Sequence, residues 1–335
     1  MGVTIKDIAK EANVSIASVS RILSGKSGFN SKKTIKKVKD IAKKMGYRKN
    51  TAAVELVTQS SKVLAVIVSA TKTNFANQII NGIHEEAYKH GLNVIIIYAG
   101  ENDPQRQFEA VRTVIERSVR GILLLALDLS DESYNLLKEA GTPYIFLSIS
   151  NNRGFPFIAS DDYLIGYQST KYLIDKGHQN IALTGLETTS YVGKKRIKGY
   201  LDALNEDGII PKPEWVIDGS FTYEDGVNTL KSLGKSSEIT GIVACSDFVG
   251  LGLINQASAW GIKVPDELSI ISVDGTELCE LVRPNLTSVT QSFYEMGTLG
   301  VRYLIESNQD DHYKKFTGLK IEERQSTKRN GKILG

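Results

Sequence analysis

Apolar residues in the first 46 positions recur every three or four residues, the spacing of one buried face of a helix. The pattern predicts three short helices, each opened by a hydroxyl residue that can cap it: Thr4, Ser15 and Ser31. Asn13 tolerates a left-handed backbone and makes a tight turn after the first helix, and Gly46 ends the third helix. The segment therefore predicts a minimal three-helix core that contains a helix-turn-helix.

From Val63 onward, short runs of β-branched and aliphatic residues alternate with helical patterns, which indicates parallel α/β units. Strands are predicted at 63–68, 94–98, 122–126, 144–147, 181–184, 242–245 and 268–273. Two successive sets of units, divided near residue 160 and with a return to the first set near 290, predict two similar lobes. Ligands in open α/β sheets bind outside the carboxyl ends of strands. The cleft between the lobes should therefore be lined by 69–75, 148, 185–196, 246–247 and 274–277.

Charge is distributed unevenly along the chain. The first 62 residues carry 14 basic against 4 acidic side chains, a net charge of +10. The remaining residues carry 27 basic against 34 acidic side chains, a net charge of −7. A short basic segment of this density attracts a polyanion through counterion release, although a solvated lysine-rich surface is the plainer interpretation.

Several classes of protein are not supported by the sequence. No apolar run approaches 18 residues, and the N-terminus lacks a signal pattern, so we expect a cytoplasmic chain without a membrane partner. Cys245 and Cys279 imply no disulfide framework. The four histidines are scattered, and the sequence has no nucleophile elbow, Walker loop or metal-spaced His/Cys group. We therefore predict no catalysis, no metal and no cofactor.

In a helix-turn-helix, the first residues of the second helix meet base edges in the major groove of DNA. Here these residues are Ile16, Ala17 and, one turn later, Arg21. An arginine can donate two hydrogen bonds to guanine, whereas Ile16 and Ala17 offer apolar contact to a thymine methyl group. We predict that these three residues read the DNA sequence.

The segments 3–9 (VTIKDIA), 14–15 (VS) and 18–21 (SVSR) resemble the headpiece of the lactose/galactose repressor (LacI/GalR) family. The resemblance implies that Ile16, Ala17 and Arg21 read an operator. It also implies phosphate contacts from Thr4, Ser15, Ser20 and Ser31. The linker at 49–61 resembles the family's hinge helix, which forms on operator DNA and enters the minor groove. Its residues would be Asn50 as the cap, Ala53 for close approach and Leu56 as an apolar wedge.

The resemblance continues in segments 160–162 (SDD), 196–200 (RIKGY), 264–267 (VPDE) and 284–289 (PNLTSV), and the body also resembles periplasmic sugar-binding proteins. It implies effector contacts from Phe75, Ser148, Asp161, Arg196, Phe221, Ser246, Asp247 and Glu277. An aromatic face covering C–H surface, with charged groups on hydroxyls, suits a sugar. Residues 274–277 (DGTE) depart from the family's usual Gly-Phe/Tyr-Asp-Asp, so a different effector is expected.

The sequence thus predicts an α/β protein with a helix-turn-helix domain at 1–48, a hinge at 49–61 and an effector-binding and dimerisation domain at 62–335. We expect a repressor of sugar-utilisation genes that binds palindromic operator DNA and a sugar-like effector. Residues 324–335 lack the leucine heptads of a tetramerising coiled coil, which favours a homodimer. Two alternatives stay open: a global catabolite regulator with a phosphocarrier protein as co-repressor, and a cytosolic sugar-binding protein that does not bind DNA.

Overall fold

The computed structural model describes residues 3–25, 30–47, 61–69, 74–100, 103–150, 153–235, 237–306, 310 and 312–330. The chain divides into two compact units, Met1–Ser61 and Lys62–Gly335. Each unit has its own hydrophobic core. No helix among the described residues is both long and apolar enough to cross a membrane.

The first unit contains α1 (Ile5–Ala12), α2 (Ile16–Leu23) and α3 (Lys32–Lys44). Each helix begins at its predicted cap, because the hydroxyls of Thr4, Ser15 and Ser31 accept a backbone N–H of the first turn. Asn13 has φ 54° and ψ 49°, the left-handed conformation predicted for the turn. The three predicted helices are confirmed, and they enclose a small core of Ile8, Ala9, Ala12, Val19, Ile22, Val38 and Ala42.

The second unit alternates strands and helices. Its first part runs β1 (Val63–Val68), α4 (Ala76–Lys89), β2 (Asn93–Tyr98), α5 (Pro104–Glu116), β3 (Gly121–Leu125), α6 (Asp131–Glu139), β4 (Tyr144–Leu147) and β5 (Phe157–Ala159). The next part runs α7 (Asp162–Asp175), β6 (Ile181–Leu186), α8 (Tyr191–Glu206), β7 (Val216–Asp218), α9 (Tyr223–Leu233), β8 (Gly241–Ala244), α10 (Asp247–Trp260), β9 (Ser269–Asp274), α11 (Leu278–Leu281) and β10 (Thr287–Gln291). A 3-10 turn, Pro213–Trp215, precedes β7. The described part of the unit ends with α12 (Phe293–Ile305), β11 (Lys314–Phe316) and β12 (Leu319–Glu322).

These elements form two sheets. The first sheet has the order β11-β5-β4-β3-β1-β2 and is parallel throughout, and with α4–α6 and α12 it forms lobe 1. The second has the order β12-β10-β9-β8-β6-β7, in which only β12 is antiparallel, and with α7–α11 it forms lobe 2. This arrangement confirms the predicted two-lobed α/β body.

Within the described residues the chain passes between the lobes three times: after β5, after β10 and between β11 and β12. The three passages lie side by side, since Thr317 N donates to Ala159 O over 2.9 Å and Ser292 Oγ donates to Gly318 O over 3.0 Å. The passage between β11 and β12 had no counterpart in the sequence pattern. It makes the linkage between the lobes a triple connection.

Helices cover both faces of each sheet, which is why the central strands are apolar on both sides. In lobe 1, Leu64, Val66 and Val68 of β1 pack against α4 and α12, whereas Ala65 and Ile67 pack against α5 and α6. Lobe 1 therefore has two cores separated by its sheet.

Reciprocal glycine contacts bring paired helices together in both lobes. A Cβ atom on Gly82 of α4 would lie 2.1 Å from Tyr294 O of α12, and one on Gly297 of α12 would lie 2.1 Å from Ile79 O. The same exchange joins α7 to α8 and α9 to α10, through Gly166, Gly199, Gly226 and Gly252. Only glycine allows the backbones to approach this closely.

Candidate functional site

A cavity of about 1220 Å³ lies in the second unit between the carboxyl ends of the two parallel sheets. Residues that follow β1, β3 and β4 line it from lobe 1, and residues that end or follow β6, β8 and β9 line it from lobe 2. This is the place where α/β sheets bind ligands, because the strand ends leave a crevice lined by loops and helix N-termini.

A buried ion pair occupies the lobe 2 wall. Arg196 of α8 and Asp162, the first residue of α7, are 7% and 6% exposed. Arg196 Nε donates to Asp162 Oδ1 over 2.9 Å, and Nη1 donates to Cys245 O over 2.8 Å. Burial raises the pKa of Asp162, although the charge of Arg196 opposes this shift. The guanidinium also lies 5.7 Å from the ring centre of Phe221. Arg196 is thus fixed in a single orientation at the cavity.

A second buried carboxyl group belongs to Asp274, the last residue of β9. Its side chain lines the cavity and accepts a hydrogen bond from Gln291 Nε2 over 2.9 Å. Burial, together with the nearby charge of Asp247, raises the pKa of Asp274 well above its ordinary value. Asp274 lies in the segment 274–277 that the sequence predicted to line the cleft, although it was not selected as an effector contact, and Asp162 was not selected at all. The available signal was position alone, because Asp274 directly follows the strand predicted at 268–273.

Aromatic rings line the lobe 1 wall. Phe75 and Phe293 are stacked, with ring centres 4.8 Å apart and an interplanar angle of 16°. On the other face of the sheet, Tyr134 stacks on Phe155 at 4.2 Å and contacts Phe146 at 5.5 Å. Phe75, Phe293, Tyr134 and Phe146 all line the cavity. Lobe 1 therefore supplies apolar surface opposite the charges of lobe 2.

The structure brings four of the eight sequence-predicted effector residues to this cavity: Phe75, Ser148, Arg196 and Phe221. Asp161 instead caps α7, where its carboxylate accepts Tyr163 N at 2.9 Å and Leu164 N at 3.3 Å. It lines a smaller neighbouring cavity of about 400 Å³. Ser246, Asp247 and Glu277 are not among the residues that line the larger cavity. Ser246 caps α10 and donates to Phe221 O over 2.9 Å, and Glu277 directly precedes α11.

Asp247 is 2% exposed and holds together the loop that follows β9. Its carboxylate accepts hydrogen bonds from Ser272 Oγ at 2.5 Å, Ser288 Oγ at 3.1 Å and both N and Oγ1 of Thr276, at 2.7 and 2.8 Å. These contacts tie α10 to β9, β10 and the 274–277 loop. Asp247 therefore holds in place the loop that begins with Asp274, one of the acidic residues that line the cavity.

Backbone strain is concentrated at the cavity. Of the six described non-glycine residues with positive φ, four line it: Ala126, Ser148, Phe221 and Asp274. Each lies at the end of a strand or shortly after one, where a left-handed residue turns the chain out of the sheet. Such conformations cost about 1–3 kcal/mol each and persist only when the surrounding structure fixes them.

In the first unit, one face of α2 is exposed and the other is buried. Ile16, Ala17, Ser20 and Arg21 are exposed, with Ile16 at 50%, whereas Val19 and Ile22 form the core. Arg21 Nε donates to Ala17 O over 3.3 Å. The structure thus brings the predicted base-reading residues onto one free face.

The four hydroxyl residues predicted to contact phosphates differ in whether a helix cap already holds their side chains. Thr4 Oγ1 donates to Asp7 Oδ2 over 2.7 Å and Ser15 Oγ donates to Ser18 Oγ over 3.0 Å, and Ser31 exchanges a hydrogen bond with Thr34. These three hydroxyls are therefore engaged in capping, whereas Ser20 lies on the free face. The predicted hinge residues Asn50, Ala53 and Leu56 lie outside the described residues.

The described residues contain no group of three or more His, Cys, Asp or Glu side chains arranged to hold a metal ion. Cys245 and Cys279 are buried and unpaired, and burial raises the pKa of the Cys245 thiol to about 12. A thiol of that pKa is a poor nucleophile at neutral pH. The cavity therefore offers hydrogen-bonding and aromatic groups for binding.

Comparison with known proteins gives a match to both units. Residues 4–50 match the family model described as "Bacterial regulatory proteins, lacI family", and residues 61–302 match "Periplasmic binding proteins and sugar binding domain of LacI family". Catabolite control protein A of Priestia megaterium is 31% identical over 334 residues, covering 98% of this chain and 100% of that protein.

Solved structures agree with these matches. A transcription regulator from Lactobacillus plantarum is 42% identical, with a TM-score of 0.75, covering 80% of this chain and 100% of that chain. The LacI family transcriptional regulator CCPA from Weissella paramesenteroides, solved with bound sucrose, is 28% identical, with a TM-score of 0.73, covering 80% and 99%. These relatives are transcription regulators and not enzymes. The chain belongs to the LacI family of DNA-binding bacterial regulatory proteins.

Proposed function

We propose that this regulator binds a two-fold symmetric operator as a homodimer and that a neutral, polyhydroxylated small molecule in the cleft controls the binding. The charge of the cleft is the observation that carries the effector proposal. Among the residues that the structure describes, five carboxyl groups line it, against two guanidinium groups. The acidic residues are Asp128, Asp162, Glu187, Asp218 and Asp274, and the basic residues are Arg153 and Arg196.

Both guanidinium groups already have an acidic partner. Arg196 pairs with Asp162 at 2.9 Å, and Arg153 Nη1 lies 2.7 Å from Asp131 Oδ1. A phosphate ester would lose its hydration at a site where the described residues carry a net negative charge and offer it no cation without an acidic partner. Sugar hydroxyls can donate to carboxylates and accept from guanidinium groups, so a neutral polyol satisfies both kinds of partner.

The aromatic wall favours the same class of ligand. Phe75, Phe293 and Phe221 line the same cavity as the buried charges, and a sugar ring presents C–H faces that pack on aromatic rings. The relative solved with bound sucrose, a neutral disaccharide, supports this assignment. Of the sequence-predicted effector residues, Phe75, Ser148, Arg196 and Phe221 are the ones we propose for direct contact.

For DNA, we propose that the exposed face of α2 enters the major groove. Arg21 would read a guanine, Ile16 and Ala17 would contact thymine methyl groups, and Ser20 would contact a phosphate. The helices that begin after Thr4, Ser15 and Ser31 would present the backbone N–H groups of their first turns to the phosphates. The hinge roles of Asn50, Ala53 and Leu56 stay predictions. In the cell such a regulator would be cytoplasmic and associated with the nucleoid when bound to DNA.

A thermal-shift comparison tests the effector class. Neutral sugars are screened beside their phosphate esters, for example glucose beside glucose 6-phosphate. A ligand present at 100 times its Kd adds about 2.7 kcal/mol of stability. We expect stabilisation by at least one neutral sugar and none by its ester. Tighter binding of the phosphorylated compound would contradict the proposal.

Selection from random duplexes, followed by binding measurements on the selected site, tests the DNA assignment. Arg21→Ala should cost about 1–3 kcal/mol, concentrated at one base pair in each half-site. Lys10→Ala, a matched loss of one exposed positive charge on α1, should weaken all sequences equally. If Arg21→Ala also weakens every sequence equally, Arg21 is a phosphate contact and not a base reader.

A further inference from the structure

Helix α3 carries most of the positive charge of the first unit. Its 13 residues include seven lysines and one aspartate, a net charge of +6. All seven lysines are exposed, because Val38 and Ala42 turn the apolar face of the helix into the core of the unit. Within the part of this unit that the structure describes, no carboxylate forms an ion pair with them, not even that of Asp40 on the same helix. The charge of α3 is therefore open to an external anion.

Three of these lysines form one stripe along the helix, which we call the lysine stripe: Lys36, Lys39 and Lys43. Their spacing is i, i+3 and i+7, so at about 100° per residue they lie within about 60° of one another. With a rise of about 1.5 Å per residue, the lysine stripe is about 10 Å long. Neighbouring lysines of the stripe repel one another, which destabilises the helix unless an anion neutralises them.

A phosphate backbone fits this surface best. Each strand of duplex DNA carries a phosphate about every 3.4 Å along the axis, so about three phosphates span the lysine stripe. Lysine binds phosphate as a point charge and needs no other group beside it.

Other kinds of partner need groups that α3 does not expose. A protein interface is typically anchored by aromatic residues, Met or Arg, and single-stranded RNA by aromatic stacking, and the helix contains none of these residues. A membrane-binding helix needs an exposed apolar face, whereas the apolar face of α3 is buried in the core. Duplex DNA is therefore the partner that the exposed face favours.

The operator contact proposed for α2 does not use the lysine stripe. Ile22 of α2 and Val38 of α3 are buried in the same core, so the exposed faces of the two helices point to different sides of the unit. In α3, only the first turn after Ser31 is assigned to operator phosphates, and the lysine stripe begins with Lys36, one turn later. A duplex that lies against α2 therefore leaves the stripe free.

We propose that the lysine stripe binds the phosphate backbone of a second DNA duplex, so that the operator-bound protein bridges two DNA segments. This inference goes beyond the proposed function, because α2 reads one duplex whereas the stripe holds another without sequence preference. Contact with three phosphates gives a slope of about −2.7 when the logarithm of affinity is plotted against the logarithm of salt concentration. Affinity for the second duplex should therefore fall roughly 40-fold between about 50 and 200 mM salt.

A capture measurement tests the bridge. The selected operator duplex is attached to a surface, the full-length protein is bound to it, and a labelled duplex of unrelated sequence is added in solution. Occupancy of the operator and capture of the labelled duplex are recorded on the same surface at each salt concentration. We expect capture in proportion to the operator-bound protein, with the salt slope given above.

Substitutions in the lysine stripe locate the contact. The combined variant Lys36→Gln, Lys39→Gln and Lys43→Gln should lower capture about tenfold or more and change operator affinity by less than about threefold. Arginine at the same three positions keeps the charge and should keep capture within about twofold. Asp40→Asn removes the acidic residue beside the stripe and should raise capture, which keeps the test valid if the glutamine variant fails to fold.

A matched control removes three exposed lysines from the body by substitution with glutamine: Lys138, Lys194 and Lys231. The control has the same net charge as the glutamine variant of the stripe, and it should keep capture within about twofold. Equal loss of capture in the two variants would show that net charge alone attracts the second duplex, and it would overturn the lysine stripe as the site.

The remaining outcomes separate the bridge from the proposed operator contact. Capture that is lost with glutamine and kept with arginine supports the bridge. An occupied operator surface that captures no second duplex, or that captures single-stranded RNA more tightly, would overturn the bridge alone. Parallel loss of operator affinity and capture in the glutamine variant would place the stripe on the operator and also overturn it. A wild-type protein that leaves the operator surface empty would contradict both the proposed function and the bridge.

Discussion

The two lobes have closely similar architecture and present different chemistry to the cleft. Each has a largely parallel sheet covered by helices, with glycine-mediated helix contacts. Lobe 1 lines the cavity mainly with aromatic rings and hydroxyls, including those of Phe75, Ser148 and Phe293. Lobe 2 turns buried charges toward it: Asp162, Arg196 and Asp274. Two lobes of the same fold thus carry different residues at their strand ends, and the proposed function assigns apolar contact to lobe 1 and hydroxyl binding to lobe 2.

The lobes also differ in the pKa shifts of their buried carboxyl groups. In lobe 1, Glu86 of α4 is 4% exposed and is held by Arg302 Nε at 2.7 Å and Lys89 Nζ at 2.9 Å. These two partners lower the pKa of Glu86 to about 2. In lobe 2, burial raises the pKa of Asp162 and Asp274. In lobe 1 the buried carboxylate therefore joins α4 to α12, whereas in lobe 2 the buried carboxyl groups of raised pKa line the cavity.

The largest effect is expected at Arg196. Arg196→Gln leaves Asp162 buried without its charged partner, which should lower the free energy of unfolding of the body by about 3–5 kcal/mol. The double variant Arg196→Met with Asp162→Leu should recover most of this loss, because a hydrophobic pair often replaces a buried ion pair without cost. It should not recover ligand binding. Urea denaturation measures the stabilities, and a loss below about 1 kcal/mol in the single variant would show that Arg196 does not anchor the lobe 2 wall.

The glycine contacts give a matched pair across the lobes. Gly82→Ala in lobe 1 and Gly166→Ala in lobe 2 place a Cβ 2.1 and 2.0 Å from backbone oxygens, so each should cost about 1–3 kcal/mol. The oxygen facing Gly166 belongs to Arg196. Gly166→Ala should therefore also weaken ligand binding, and Gly82→Ala should not.

Asn81→Ala, at an exposed position next to Gly82, is the control and should stay within about 0.5 kcal/mol. Thermal unfolding and calorimetric titration of the three variants test the comparison. Equal effects of the two glycine variants on ligand affinity would remove the difference between the lobes.

Acidification should affect the lobes with opposite sign. The folded-state pKa of Glu86 is depressed, so its stabilisation is present above its ordinary value of 4.5 and is lost as the pH falls toward 2. Asp274 has a raised pKa, so its ionisation destabilises the fold as the pH rises from its ordinary value of 3.8 through the raised value.

Urea denaturation between pH 3 and 7 checks these signs, with the wild type as the reference. Glu86→Gln should remove part of the acid-induced loss of stability. Asp274→Asn should raise stability at pH 7 and weaken ligand binding. A destabilised Asp274→Asn protein at pH 7 would contradict the assigned cost of the buried carboxylate.

The smallest effect is expected at Ala126, which has φ 52° after β3. Ala126→Gly relieves a left-handed strain of about 1–2 kcal/mol, partly offset by the greater freedom of glycine in the unfolded chain. The net gain in unfolding free energy should be at most about 1 kcal/mol. Ala259→Gly, at an exposed position of α10, should instead lose about 0.5–1 kcal/mol. Denaturant midpoints of the two variants check the signs, and equal losses would mean that Ala126 is not strained.

Local signals made the first unit predictable from sequence, because Thr4, Ser15 and Ser31 cap helices through bonds to the adjacent turn. The central strands were predictable for a similar reason, since burial on both faces leaves an apolar run. The edge strand β11 and its neighbour β5 span only three residues each, which is too short for an apolar run to mark a strand. Their pairing depends on the passages between the lobes, which no local pattern encodes.

The cleft was predictable as a set of strand ends but less so as a set of side chains. Asp161 and Asp162 are neighbours, and yet one caps α7 and the other pairs with Arg196. Successive residues at a helix start point about 100° apart, so the residue at which α7 begins decides which of the two carboxylates faces Arg196. Gln107 and Arg153 reach the cavity only through tertiary packing, and their sequence neighbours give no indication of it.

Reciprocal coupling between cleft and DNA tests the central claim most directly. Once a neutral ligand and an operator have been selected, ligand affinity is titrated with and without the operator duplex, and operator affinity with and without the ligand. Linkage requires the two ratios to be equal, and a typical coupling of about 1–3 kcal/mol corresponds to roughly 5–150-fold. The account predicts equal ratios clearly different from one. Ligand affinities that are the same with and without operator would show that the cleft does not control DNA binding.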